Sequence, residues 1–187
     1  MANSLSTRHR NSVYFFSFLL LALAASCSAG DMANDDPTSY VDALMQSFRA
    51  GTVSSLTCPN VQWMHISRLL EYGQSTEIVS NDAIPANPTS SCHMRECSEG
   101  IFALWMVEAA RIHTLNHNSK EFGMGWPSQN PIIQRMNGSN QQPTWYVNDP
   151  AVQQEVLAAY VSWWNDAKGK KSAASKDPLE KTIYMWH

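Results

Sequence analysis

The stretch IFALWMVEAA, residues 101–110, carries one charge and neither glycine nor proline. It lies inside CSEGIFALWMVEAARIHT, which predicts a helix over 97–114. A helix that is apolar on nearly every side has to be buried all round. Any fold open to this chain must therefore wrap other elements around this segment. Glu108 and the shortness of the run argue against a membrane span, which needs about 20 apolar residues.

The wrapping elements are read from periodicity and caps. Tyr40, Leu44 and Phe48 form one stripe of a helix predicted over 38–50. NVQWMHISRLLEY (60–72) predicts a second, with Ile66, Leu69 and Leu70 inward and Gly73 as its stop. Val152, Val156, Tyr160 and Trp163, widened by Leu157, Val161 and Trp164, predict a long helix over 150–168. A short helix is expected at 131–137, and TEIVS (76–80) fits a short strand. Asp36-Pro37, Asn130-Pro131, Asp149-Pro150 and Asp177-Pro178 each put a capping oxygen ahead of a proline, the chemistry of a helix start. The closing PLEKTIYMWH brings aromatics that should dock on the body. The expected fold class is all-α: a single compact domain of about five helices and at most one short strand.

The N-terminus has a different character. Arg8, His9 and Arg10 precede VYFFSFLLLALAA (13–25), and small residues follow. A basic start, an apolar core and a small-residue exit describe a secretory signal over 1–26. Leu23-Ala24-Ala25-Ser26-Cys27 resembles a bacterial lipobox, so Cys27 is the expected lipid-attachment residue, carrying palmitate-type chains. Residues 27–37 then form a polar, acidic tether with nothing to bury. The helical domain spans 38–187. This reading places the protein in the bacterial cell envelope, anchored to a membrane through lipid; soluble secretion is the alternative, with cleavage among the small residues.

Charge and cysteine content narrow the function. Without Arg8 and Arg10 the 13 basic residues fall to 11 against 16 acidic ones, a net charge of −5. No basic face or aromatic-basic ribbon appears, so nucleic acid is not an expected partner. Lys168, Lys170 and Lys171 cluster where the last helix ends and complement its dipole. An exported chain meets an oxidising compartment, and Cys58 and Cys92, both in predicted loops, are the expected disulfide pair. Cys97 opens the central helix and reads as a small core residue.

Stretches IPANPTSS (84–91), GIFALWMVEAAR (100–111) and PSQNPII (127–133), the pair Trp163-Trp164 and the ending YMWH (184–187) resemble a family of small exported bacterial lipoproteins carrying a domain of unknown function. The resemblance implies export and a compact helical domain. It implies no activity and no catalytic residue.

Glu108 and Arg111 stand three apart on the central helix and can pair on one face. A carboxyl in such a setting can also be a general acid with a raised pKa, working with His65, His113 or His117. His113 and His117 have zinc-like spacing without further ligands, and Cys58, Cys92, His93 and Cys97 match no zinc framework, so no metal is expected. Ser90 and Ser91 lie in a turn rather than a nucleophile elbow. No glycine-rich phosphate loop is present and no cofactor is expected. Trp126, Trp145 and Tyr146 fall in a loop-rich region beside Ser128, Gln129, Asn130, Gln141 and Gln142, and form the expected ligand patch. The leading expectation is a non-enzymatic binding or accessory protein for an envelope protein or glycan. A small hydrolase using Glu108 with a nearby histidine, and a purely structural spacer, are the alternatives.

Overall fold

The computed structural model describes residues 36–54, 57–80, 84–85, 94–115, 126–136, 144–146, 148–168 and 170–187. Helix α1 spans Pro37–Arg49, a 3-10 turn at Trp63–His65 leads into α2 at Ile66–Tyr72, and β1 follows at Ile78–Ser80. Strand β2, Glu96–Ser98, runs directly into α3, Glu99–Leu115. Strands β3 (Ile133–Arg135) and β4 (Thr144–Tyr146) precede α4, Pro150–Ala167. A 3-10 turn at Lys171–Ser175 and β5, Tyr184–Trp186, complete the order.

Helix α3 is the axis of the molecule. Every residue from Glu99 to Arg111 is buried, as the largely apolar composition requires. Around it pack α1, α2, α4 and both 3-10 turns. Phe48 of α1 stacks on Phe102 at 3.9 Å between ring centroids, and Trp105 stacks on Trp126 at 4.8 Å. The Asx-Pro caps of α1 and α4 form as the sequence prescribes. Asp36 accepts from the Ser39 amide, and Asp149 from the amides of Ala151 and Val152.

The expectation of an all-α fold is corrected. Besides its helices the domain has two antiparallel sheets, one of order β1-β2 and one of order β4-β3-β5. In the first, Ile78, Val79 and Ser80 pair with Ser98, Cys97 and Glu96. In the second, Ile133 lies between Tyr146 and Trp186, and Gln134 between Trp145 and Met185. The helix expected at 131–137 is instead β3. Two of the four Asx-Pro pairs therefore do not start α-helices: Asn130-Pro131 leads into extended chain, and Asp177 accepts from the Leu179 amide at 2.8 Å in a turn. Cap chemistry is shared between helix starts and turns. Only a long periodic run after the proline makes it a helix.

The junction of β2 and α3 is tightly locked. The Glu99 amide donates to Glu77 O at 2.9 Å and the Gly100 amide to Ser75 O at 3.0 Å. Ser98 Oγ caps the helix by accepting from the Ile101 amide, and donates to Gln153 Oε1 at 2.7 Å. Gln153 Nε2 then reaches across from α4 to Gly73 O and Ser75 O, each at 2.9 Å. A β-carbon at position 100 would collide with Gln153 Nε2 and stand 2.6 Å from each of those two carbonyl oxygens. Glycine is required there by closeness of approach.

Candidate functional site

Glu108 is the one acidic residue inside the apolar run, and its surroundings decide what it can do. It is 7% exposed. Arg111, one helical turn on, donates Nη1–H to Glu108 Oε2, and Tyr160 of α4 donates its hydroxyl to Oε1. The Arg111 Nε–H donates to Ala174 O at 3.1 Å, and its guanidinium lies over the Trp163 ring. Trp186 of β5 donates its indole N–H to the Tyr160 oxygen at 2.7 Å. Burial pushes the Glu108 carboxyl up, against the pull of Arg111 and the Tyr160 hydrogen bond. Burial and the neighbouring Glu108 push the Tyr160 hydroxyl well up. This polar chain ties α3, α4, the second 3-10 turn and β5 together. The carboxylate is sealed within it and presents no acid to solvent, which removes the geometric support for a Glu108 hydrolase.

His65 and His113 serve backbone groups. His65 is 6% exposed, stacks on Tyr40 at 4.6 Å, and its Nδ1 accepts from the Gln62 amide at 2.9 Å. His113 Nδ1 lies 2.8 Å from Val61 O, to which its N–H donates. His117 lies outside the described residues. Burial lowers the His65 pKa from the ordinary 6.5, in keeping with an Nδ1 lone pair engaged by an amide. The unfolded chain takes up this proton near pH 6.5 and the folded chain only at lower pH. The stability His65 contributes is therefore present above pH 6.5 and lost as pH falls through its folded value. In an NMR titration the His65 ring signal, identified by its loss in His65→Asn, should titrate below 6.5; a midpoint at or above that value would contradict the burial argument.

The thiols are equally enclosed. Cys58 and Cys97 are buried and, among the described residues, free, and burial pushes each thiol up to about 12, so as a thiol neither ionises at neutral pH. Cys27, Cys92 and His93 lie outside the described residues, as do Ser90, Ser91, Gln141 and Gln142. Among the described residues no three histidines, cysteines or carboxylates cluster as metal ligands. No helix among them is long and apolar enough to cross a membrane.

The three aromatic residues of the expected ligand patch are separated. Trp126 is buried on Trp105 and belongs to the core. Tyr146 is half-buried and meets Tyr184 edge-on. Trp145 points outward and is 55% exposed, with the His187 ring 4.4 Å away. Directly paired residues on antiparallel strands share a face. Gln134 therefore stands beside Trp145, and Met185 beside Gln134 on the far strand, all on one face. The Met136 amide donates to Ile183 O at 2.9 Å, which places these two residues one pleat further along the same face. Met136, Ile183 and Met185 are 50%, 46% and 40% exposed. The opposite face carries Ile133 and Trp186 into the core. Sequence reasoning named Trp145 but missed these neighbours, whose only signal was the alternation Ile183, Met185, His187.

A family model described as "Domain of unknown function (DUF4943)" matches residues 31–187. No curated protein and no solved structure gives a significant match.

Proposed function

We propose a function for this chain, which belongs to the DUF4943 family of domains of unknown function, as an exported, lipid-anchored accessory protein of the bacterial envelope that binds a partner protein and catalyses nothing. One observation carries the binding reading: the outward face of the β4-β3-β5 sheet offers Trp145, Met136, Ile183 and Met185 to solvent together. A mostly apolar face with a tryptophan and adaptable methionines has the composition of a binding surface. The signal-like leader, Cys27 and the acidic tether support the anchored part of the reading. Enclosure of Glu108, Cys58 and Cys97 favours a binding role over a chemical one.

The test has two arms. Cys27→Ser should abolish incorporation of a fatty-acid probe in cells. Crosslinking in the envelope, followed by recovery of the chain, should return a partner with the wild type and about tenfold less with Trp145→Ala. Glu180→Ala, at an exposed site away from that face, is the control and should recover it fully. Equal recovery with Trp145→Ala would overturn the proposed surface. Recovered material that is carbohydrate and resists protease would replace the protein partner by a glycan.

A further inference from the structure

A second recess lies away from any residue used so far for binding. The segment that leads into α2, the last turn of α3 and the second 3-10 turn enclose a cleft of about 310 Å³. That volume reaches the range of small-molecule sites. Asn60, Gln62 and Trp63 form one wall, with Met64 at its rim; His113, Thr114 and Lys171 form the other.

The chemistry of the lining is one-sided. Lys171 and the Trp63 indole can only donate hydrogen bonds, and the two amides donate as well as accept. Thr114 spends its own proton on Ala110 O at 2.8 Å. Among the described residues no carboxylate lines the cleft. Trp63 is held rigidly, edge-on to Trp163 at 5.7 Å and tilted against Trp164 at 5.2 Å. It is 8% exposed, and its Nε1–H has no acceptor among the described residues. Lys171 is exposed and has no acidic partner among the described ion pairs.

We propose that this cleft binds a small sugar acid: a carboxylate for Lys171, ring and hydroxyl oxygens for the amides of Asn60 and Gln62, and a carbon skeleton against Met64 and the Trp63 ring. A bare carboxylate would leave most donors unmet, and a neutral sugar would leave the ammonium unmet. The site is independent of the Trp145 face.

The experiment titrates the full chain with D-glucuronate and follows the Trp63 indole N–H by NMR, assigned through Trp63→Phe. A saturable shift is expected. Lys171→Met, at an exposed position that leaves the fold intact, should weaken binding by about tenfold or more, and Asn60→Ala by a smaller factor. D-glucose and acetate should each bind about tenfold or more less tightly than glucuronate. Trp145→Ala should bind glucuronate as the wild type does, so that failure of the sheet surface and failure of this cleft are told apart. Absence of a saturable shift would overturn the proposal. So would unchanged affinity in Lys171→Met, glucose or acetate matching glucuronate, or loss of binding in Trp145→Ala.

Discussion

Glu108→Ala should destabilise the domain by about 3–5 kcal/mol, the usual cost of stranding one member of a buried ion pair. The stranded group is Arg111, 9% exposed. Its remaining partners are Ala174 O and the face of Trp163, and neither carries a full negative charge. Tyr160 loses its acceptor in the same step, although Trp186 still donates to its oxygen. Urea unfolding at unchanged m measures the loss directly. The double variant Glu108→Leu, Arg111→Met is the informative companion. With both charges gone and apolar volume restored, most of the stability should return, because a buried pair contributes little net stability against a well-packed apolar replacement. A single variant that lost less than about 1 kcal/mol would show that the pair is not enclosed as described.

Gly100→Ala should also destabilise, by about 1–3 kcal/mol or more, and here the sign is the test. Glycine to alanine within a helix ordinarily stabilises by up to about 1 kcal/mol. At position 100 the added methyl meets Gln153 Nε2 and two backbone carbonyls. The side chain can swing away, but Gly73 O and Ser75 O are fixed by the end of α2 and by the Gly100 amide itself. Adding Gln153→Ala should therefore restore only part of the loss. Its removal also takes the acceptor from the Ser98 hydroxyl and the side-chain donor from Gly73 O, while Ser75 O keeps the Gly100 amide. Thermal melts of the three variants check the order. A Gly100→Ala protein more stable than the wild type would show that α3 can shift away from the β1-β2 sheet.

What the sequence revealed follows from the length over which each signal is written. Helices α1, α3 and α4 are each long enough to show a stripe or its absence, and two of them begin at an Asx-Pro cap. The Glu108–Arg111 pair was legible because both members lie one turn apart on one element. The strands were not. Each is three residues long, too short for a period of two to separate from a helical turn, as Ile133–Arg135 shows. Gln153 carries no local signal, because its partners Gly73, Ser75 and Ser98 lie far away in the chain. The outward sheet face is assembled from three separate segments, so only its tryptophan stood out. By position in the chain Lys171 is a helix-end cation, whereas the structure places it in its own 3-10 turn beside the last residues of α3.

The order β4-β3-β5 also bears on how the domain assembles. β3 and β4 are near neighbours along the chain and can zip together early. β5 reaches β3 only after the chain has laid down α4 and turned back, and such distant closures are slow. A molecule caught before that last strand arrives would own its helical centre, yet the surface that displays Trp145 would be a two-stranded ribbon lacking Ile183 and Met185.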